Sequence, residues 1–508
     1  MQHNQTVIVL DFGGQYKELI ARRVRENSVY SIIKSGDTPV EELMALNPIG
    51  IITTGGPNSV YEDDSPKCSP ELFELGVPIL GICYGFQLMT YLLGGTVSIA
   101  ETSEYGTTDS EFHDGSVLFR GLEKNQRVLM SHTDYVSSVP EGFSVTSHTA
   151  DCPIASMECP QKKLYGVQFH PEVEHTQNGM KILHNFLYDV CGASGDYSMD
   201  DYIERQIKEI RETVGDGNII LGLSGGVDSS VAAALISRAV GKQLTCVFVD
   251  HGLMRLNEAQ QVREAFAGME LNFVQADAQE LYLSKLKGVT DPETKRKIIG
   301  GLFIDVFKSE AAKLDNVRFL AQGTIYPDII ESGNKKAATI KSHHNVGGLP
   351  EQLGFTLVEP LKGLFKDEVR NLGRKLGLPE YLVNRQPFPG PGLGIRVIGE
   401  ITAEKLDILR HADWIFREEL EKSGETASQY FAVLTNTRSV GVMGDARTYD
   451  YTVALRAIVT SDFMTGVYAP LSHALLSRVS ARITNEVRGV NRVVYDITAK
   501  PPATIEWE

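Results

Sequence analysis

Residues 220–235 read ILGLSGGVDSSVAAAL, and this stretch decides the fold of the middle of the chain. An apolar strand leads into a glycine turn, and an apolar run at helical spacing follows it. Such a loop holds an anion with backbone N–H groups and a helix N-terminus. The lysine of the GxxxxGK[ST] loop is missing, and Asp228 and Ser229 follow the turn instead. The stretch therefore predicts a nucleotide-binding loop that holds phosphates without this lysine.

The same alternation of strands and helices extends on both sides of this loop. In the first third, TVIVLDFG, GIITTGGP and VPILGICYG are continuous apolar strands, which are typical of a parallel sheet covered on both faces. The segment QPFPGPGLG (386–394) marks a boundary, and strands and helices mix beyond it. We predict an α/β protein: two doubly wound, mostly parallel-sheet domains (1–192 and 193–385), then a smaller α+β dimerisation domain (386–508).

Bulk properties exclude several classes of protein. A length of 508 residues suits about three domains. The net charge of −16 argues against a general nucleic-acid binder. The apolar runs fall far short of the roughly 20 residues that span a bilayer, and the N-terminus shows no export signal. The six cysteines have no disulfide or metal-ligand spacing, so we expect a cytoplasmic protein. From the charge and the short apolar runs, we expect no nucleic-acid partner and no membrane partner.

A cysteine follows the third apolar strand of the first domain. Cys83 lies between Gly81 and Gly85 in PILGICYGFQLM, a spacing that permits a strained strand-to-helix elbow. The helix that begins there favours a negatively charged sulfur. An isolated GxCxG pattern would suit a small buried cysteine about equally well.

A histidine and a carboxylate complete the pattern. His170 and Glu172 stand in YGVQFHPEVEH, where we expect an apolar strand to end at His170. Strand residues two apart share a face, so the pair suits a general base and its orienting carboxylate. The loop TTGGPNSV supplies backbone N–H groups near Gly55 and Gly56 that could hold an oxyanion.

The motifs GGP, GICYGFQ and GVQFHPE together resemble the class I glutamine amidotransferases over roughly residues 6–190. The resemblance implies that Cys83 attacks the glutamine amide, that His170 activates the thiol and protonates ammonia, and that Glu172 orients His170. It also implies further contacts to the oxyanion and to glutamine, from Gly56, Tyr84 and Gln87.

Residues 224–229 match the SGGxDS motif of the ATP pyrophosphatases. That resemblance implies that the loop grips the β- and γ-phosphates as they leave together as pyrophosphate, while AMP passes to an acceptor. It implies that ATP is bound by Ser224, Gly225, Gly226, Val227, Asp228, Ser229, Ser230, Val249 and Lys366. The implied cofactor is Mg²⁺, with candidate ligands Asp228, Asp328 and Glu331.

The last third of the sequence indicates which acceptor the AMP group passes to. The segments QPFPGPGLGIRVIGE, SVGVMGDARTYDYTVALRAI and KPPATIEWE resemble the GMP synthase family, and the likeness extends over essentially the whole chain. It implies that glutamine, ATP and xanthosine 5′-monophosphate (XMP) are the substrates and that the protein is a homodimer. It also implies that Arg296, Lys500 and Glu506 bind XMP.

Two alternatives remain open at the level of sequence. One is an amidotransferase-adenylase of NAD synthetase type that acts on a carboxylate acceptor. The other is a catalytically silent nucleotide sensor that retains the folds. The glycine-containing segment KSHHNVGGLPE (341–351) is a candidate lid over ATP.

Overall fold

The computed structural model describes residues 5–332, 354–460 and 465–508. The chain divides into two compact units, Met1–Tyr202 and Ile203–Glu508. The predicted bounds of three domains stay predictions, and the candidate lid lies outside the described residues. Over the described ranges, no helix is both long and apolar enough to cross a membrane.

The first unit is built on one large sheet. Its strands are β1 (Thr6–Asp11), β2 (Tyr30–Ser35), β3 (Gly50–Thr53), β4 (Ile79–Ile82), β5 (Thr96–Phe112), β6 (Asn125–Ser138), β7 (Ser144–His148), β8 (Ser156–Cys159) and β9 (Leu164–Val167). Their order among the described residues is β2-β1-β3-β4-β9-β8-β7-β5-β6. The first five strands in this order, β2, β1, β3, β4 and β9, pair in parallel with their neighbours among these five. The remaining pairs are antiparallel, so the α/β class is confirmed, with an antiparallel half that the sequence did not indicate.

The parallel half forms where the strands are continuously apolar. Every residue of β3 and of β4 is buried, whereas β6 alternates buried and exposed residues and has only one face on the core. The helices are α1 (Lys17–Glu26), α2 (Val40–Ala45), α3 (Tyr84–Leu92) and α4 (Gly179–Asn185), with a 3₁₀ turn at Pro70–Glu74 and a π turn at Phe186–Val190. Because β4 is parallel to its neighbours, Cys83 lies at the carboxyl edge of the sheet, where ligands bind in such folds.

The second unit begins with a parallel sheet. Its strands are β10 (Asn218–Gly222), β11 (Leu244–Asp250), β12 (Asn272–Asp277), β13 (Val317–Ala321) and β14 (Thr356–Val358). In the described part of the chain they lie in the order β12-β11-β10-β13-β14, and all pairs are parallel. The strand order reverses between β10 and β13, so this point is the topological switch at which doubly wound sheets bind ligands. The loop at 224–230 follows β10 directly.

A second, mixed sheet completes this unit. Its strands are β15 (Gln429–Met443), β16 (Ala446–Val459), β17 (Val467–Tyr468) and β18 (Val490–Asp496). Strand β16 pairs antiparallel with β15 and β17 and parallel with β18, as the α+β prediction requires. The helices are α5 (Met199–Val214), α6 (Val227–Val240), α7 (Glu258–Phe266), α8 (Gln279–Leu286), α9 (Pro292–Ala311), α10 (Tyr326–Ser332), α11 (Lys366–Lys375), α12 (Glu380–Val383), α13 (Ala403–Ser423) and α14 (His473–Glu486), with 3₁₀ turns at Gly241–Gln243 and Gly392–Ile395.

Buried arginines hold the last residues of the sequence in place. Arg456 is fully buried and donates to the carbonyl oxygens of Thr498 and Thr504. Arg396, also fully buried, forms a bidentate pair with Glu506, with nitrogen–oxygen distances of 3.0 and 2.8 Å. These contacts make the segment that contains Glu506 an ordered part of the second unit.

Candidate active sites

Cys83 occupies a strained turn between β4 and α3. Its φ of +53° lies in a region that residues other than glycine rarely adopt. A Cβ on Gly85 would lie 2.3 Å from Thr53 Oγ1, and one on Gly81 would lie 2.8 Å from the backbone of Phe86. Both glycines are needed because the chain comes this close on either side of the elbow.

His170 and Glu172 meet beside this elbow. Nδ1 of His170 lies 2.7 Å from Oε1 of Glu172, and only 1% of Glu172 is exposed. The nearby Cys83 thiol also raises the pKa of His170. A Cβ on Gly55 would lie 3.5 Å from His170 Cε1 and 3.8 Å from Cys83 Cβ. The structure thus brings the three sequence-predicted residues together around Gly55.

The predicted reason for this contact was wrong. Strand β9 ends at Val167, so His170 and Glu172 lie in the following loop and not on one face of a strand. Hydrogen bonds position the loop: His170 N–H donates to Leu129 O (3.1 Å), Thr176 Oγ1 donates to His170 O (2.6 Å), and Arg23 Nε donates to Glu172 O (2.9 Å). None of these contacts is local enough to read from the sequence.

The surroundings of His170 favour the charged form of its ring. Burial opposes a charge on the ring, but the Glu172 carboxylate, its hydrogen bond to the ring and the neighbouring Cys83 outweigh burial. The pKa of His170 is therefore raised well above its usual range. An imidazolium next to a thiol favours the thiolate, which is the nucleophilic form of cysteine.

The predicted oxyanion residues border the same space. Tyr84 is the first residue of α3, so its N–H has no acceptor within the helix. A Cβ on Gly56 would lie 2.9 Å from Phe12 O and 3.0 Å from the Tyr84 ring, which makes glycine necessary there. Whether the N–H groups of Gly56 and Tyr84 hold an oxyanion stays a prediction.

Gln87 is buried and bonded to other protein groups. Its Nε2 donates to Asp134 O at 2.7 Å and to Gln168 Oε1 at 3.0 Å. Sequence reasoning missed Gln168: it stands inside the GVQFHPE motif, but an uncharged amide has no pattern that marks a role beside His170 and Glu172. Its nitrogen, Nε2, lies 3.7 Å from Cys83 Sγ.

The loop of the second unit is a backbone turn closed by its own serines. Gly225 has a φ of +74°, which favours glycine. Ser224 Oγ accepts from the Gly226 N–H (3.3 Å) and lies 3.1 Å from Ser229 Oγ. Arg385 donates to the carbonyl oxygen of Gly225, which fixes the orientation of that peptide group. The N-terminus of α6 follows directly, as the sequence predicted.

A lysine from a distant segment reaches this loop. Lys366, the first residue of α11, contacts both carboxylate oxygens of Asp228, at 2.8 and 2.7 Å. Both side chains are partly exposed, so we assign this ion pair little stability. After β13, a Cβ on Gly323 would come within 3.0 Å of the backbone at Asp228 and Ser229. The switch point therefore brings together a carboxylate, an ammonium group and the helix N-terminus.

The contacts of the remaining residues predicted for ATP and metal binding do not by themselves indicate a ligand. Val249 and Val227 are buried, and Ser230 is fully buried with an Oγ that has no hydrogen-bond partner among the described residues. Asp328 Oδ2 accepts from the Ile325 N–H at 3.1 Å, a contact that caps α10. Glu331 lies in α10, and its side chain is outside the described part of the structure.

Of the three predicted XMP residues, Arg296 lines a cleft at the N-terminal end of α9, and the other two lie outside that cleft. This open cleft of about 430 Å³ is lined by Asp291, Pro292, Glu293, Arg296 and Glu508. Arg296 donates to the main-chain oxygen of Glu508. Neither Lys500 nor Glu506 lines this cleft: the backbone of Lys500 pairs with Gly466, and Glu506 is paired with Arg396. Their predicted role stays a prediction.

Elsewhere in the described residues, one group could hold a metal ion by type and spacing: Glu104, His132 and Cys152. Its atoms already have partners, since His132 Nε2 lies 3.1 Å from Glu104 Oε2 and Thr149 donates to Glu104 Oε1 at 2.8 Å. Burial, and then the charge of Glu104, raise the pKa of Cys152 to about 12, which keeps it a thiol. This group is better explained as an internal hydrogen-bond network.

Known proteins resemble the chain over its whole length. Residues 8–190 match the family "Glutamine amidotransferase class-I", residues 199–298 match "NAD synthase", and residues 418–507 match "GMP synthase C terminal domain". The chain is 59% identical to the "GMP synthase [glutamine-hydrolyzing]" of Acetivibrio thermocellus, with 100% of both chains covered. It is 58% identical to the protein of that name from Finegoldia magna, again over 100% of both chains.

The two units therefore define a class I glutamine amidotransferase fused to an ATP pyrophosphatase of the SGGxDS type. Within that class, the chain belongs to the GMP synthase family, as the full-length relatives show. The match to NAD synthase covers only the nucleotide-loop region, which the two families share. The runner-up prediction of an NAD synthetase type of enzyme is not favoured.

The pair of His170 and Glu172 predicts how glutamine hydrolysis depends on pH. A raised pKa keeps the ring protonated as the pH rises past 7, whereas Glu172→Gln removes the carboxylate and lets that pKa fall toward its usual range. We expect the alkaline limb of kcat/KM to move to lower pH and kcat at pH 7 to fall by about 10²-fold or more.

Glu174→Gln is the matched control, because Glu174 is exposed and lies two residues further along the chain. It should leave the profile unchanged. An alkaline limb at the same pH in Glu172→Gln and in the unsubstituted protein would contradict this assignment.

Proposed function

We propose that this protein converts XMP to GMP with glutamine as the nitrogen donor and ATP as the activating substrate. The observation that carries the proposal is the presence in one chain of two complete constellations. One is Cys83, His170 and Glu172 at an elbow, and the other is an SGGVDS loop at a topological switch point.

The first unit would release ammonia. The Cys83 thiolate attacks the carboxamide carbon of glutamine, a C–S bond forms, and the carbonyl electrons move onto oxygen near the Gly56 and Tyr84 N–H groups. His170 then donates its proton to nitrogen, the C–N bond breaks, and ammonia leaves. Water, deprotonated by His170, hydrolyses the thioester to glutamate and restores the thiol.

The second unit would activate XMP. Its O2 attacks the α-phosphorus of ATP, the bond to the β-phosphate breaks, and pyrophosphate leaves as one unit. Backbone N–H groups at residues 224–230 and the N-terminus of α6 suit this leaving group because they offer several donors to one polyanion. Lys366 lies at the same loop and supplies the positive charge that the motif lacks.

Ammonia then completes the reaction. It attacks C2 of the adenylylated XMP, a C–N bond forms, and the C2–O2 bond breaks as AMP leaves with that oxygen. Loss of a proton from nitrogen gives GMP. The products are GMP, AMP, pyrophosphate and glutamate.

Mg²⁺ is the proposed cofactor. Asp228 offers carboxylate oxygens, which this ion prefers. They are partly exposed beside the loop and both contact Lys366, so a bound ion would replace that ammonium group on at least one of them. Asp328 and Glu331 are the further candidate ligands. When bound, Mg²⁺ would neutralise charge on the phosphates. We also propose that Arg296 binds XMP at its open cleft, with Lys500 and Glu506 acting on the same substrate.

A homodimer is proposed from an exposed apolar surface on the second sheet. Val440 and Tyr449 are cross-strand partners, 60% and 62% exposed, and Val442 next to them is 73% exposed. Such contiguous apolar side chains are typical of protein interfaces. Sedimentation should give twice the chain mass, and a monomer at micromolar concentration would contradict this proposal. A cytoplasmic location is supported by six cysteines without disulfide bonds.

Two variants separate the proposed half-reactions. Cys83→Ala should abolish GMP synthesis with glutamine while synthesis with added ammonium continues, because the second unit is intact. Asp228→Asn should lower AMP formation by at least about 10²-fold with either nitrogen source, while Cys83 still reacts with iodoacetamide. Products are followed by chromatography of the nucleotides.

Cys68→Ala, outside both sites, is the control and should keep both activities. Loss of ammonium-supported synthesis in Cys83→Ala would contradict separable sites. AMP formation with a carboxylate acceptor and not with XMP would restore the NAD synthetase alternative, and the absence of AMP formation altogether would favour a silent sensor.

A further inference from the structure

Two glutamine side chains are hydrogen-bonded in series, and the second of them contacts the nucleophilic sulfur. Gln87 Nε2 donates to Asp134 O (2.7 Å) and to Gln168 Oε1 (3.0 Å), and Gln168 Nε2 donates to Cys83 Sγ (3.7 Å). Gln168 has no exposed surface, and Gln87 is 4% exposed. Neither amide group therefore exchanges these partners for water.

The contact with Asp134 fixes the orientation of both amide groups. The carbonyl oxygen of Asp134 can only accept, so Gln87 must turn its nitrogen toward it. The second N–H of Gln87 then points at Gln168, which must present its oxygen. The nitrogen of Gln168 is left for Cys83. The reversed arrangement would place two oxygens against each other at Asp134.

The sulfur needs this donor most when it is charged. As a thiol, Cys83 can donate its proton to Ser131 O, 3.7 Å away. A thiolate loses that contact, because both atoms are then acceptors. An N–H donor gains strength as its acceptor becomes an anion, so the contact from Gln168 favours the charged form.

We propose that Gln168 is a catalytic residue of glutamine hydrolysis, whose amide N–H stabilises the Cys83 thiolate, and that Gln87 orients it. This inference rests on the proposed function of the first unit. The same N–H faces sulfur when the thioester is hydrolysed, where the C–S bond breaks and its electron pair returns to Cys83. Both N–H donors of Gln87 are occupied by the protein, which assigns it the role of positioning residue for Gln168; the prediction that Gln87 also seats glutamine, through its Oε1, stays a prediction.

The test is the rate at which iodoacetamide alkylates Cys83 in the full chain, followed by peptide mass from pH 5.5 to 9. Iodoacetamide reacts with the thiolate and not with the thiol, so the rate reports the thiolate. Gln168→Glu keeps the shape and replaces the donor with an acceptor. We expect alkylation at pH 7 to slow by about tenfold and the pH midpoint to rise by about one unit. The kcat for glutamine should fall more than KM changes.

Gln87→Glu tests the orientation without touching the sulfur. Its carboxylate can only accept, so Gln168 should turn its nitrogen toward residue 87 and its oxygen toward Cys83, and alkylation should slow in the same way. Gln126→Glu is the matched control: Gln126 is equally buried and bonded to a main-chain oxygen. It lies five residues before Ser131 on β6, roughly 17 Å away, and should change nothing.

The outcomes separate the two proposals. Unchanged alkylation in both variants, with a raised KM for glutamine, would overturn the role of Gln168 and make the pair a substrate seat. An unsubstituted protein that fails to hydrolyse glutamine would contradict the proposed function, while the alkylation rates would still test Gln168. Should Gln168→Glu unfold the first unit by circular dichroism, Gln168→Met, uncharged and of similar size, decides the question through a slowing of about threefold.

Discussion

A turn of backbone N–H groups between β10 and α6 is the constraint on which the rest of the second unit depends. An anion held by backbone donors needs glycine where the chain turns, and Gly225 adopts a φ that favours glycine. The same turn needs partners that fix its carbonyl groups, and Arg385 supplies one. Because the loop lies at the topological switch of a parallel sheet, residues that follow β13 and begin α11 also reach it.

The first unit uses a similar geometry for a different chemistry. A strained elbow after a parallel strand exposes one sulfur, and a loop at Gly55 packs against both Cys83 and His170. In both units the reactive group follows the carboxyl end of a strand and precedes a helix N-terminus. That arrangement is written in a few consecutive residues, so GICYG and SGGVDS could be recognised from the sequence.

Contacts between distant residues could not be recognised in the same way. The sequence suggested Lys366 as a source of charge, but its partner, Asp228, lies 138 residues earlier and was expected to bind metal. His170 and Glu172 meet in a loop positioned by hydrogen bonds with Leu129 and Arg23, which lie in other segments. The orientation of Gln168 depends on a carbonyl oxygen on β6, and no local pattern of residues specifies that contact.

The last residues of the sequence show why charge alone does not identify a ligand contact. Glu506 was predicted to bind XMP, and in the structure its carboxylate pairs with the buried Arg396. An acid that binds a ligand and an acid that anchors the chain have the same appearance in a sequence. The structure adds the anchoring contact, and the substrate contact remains a proposal.

Transfer of a labelled oxygen tests the central claim most directly. The protein is incubated with ATP, glutamine and XMP that carries ¹⁸O at O2, and the nucleotides are analysed by mass spectrometry. If the loop at residues 224–230 directs ATP to give AMP to O2, the label must appear in AMP and pyrophosphate must form. Label in inorganic phosphate, with ADP as the spent nucleotide, would contradict the account.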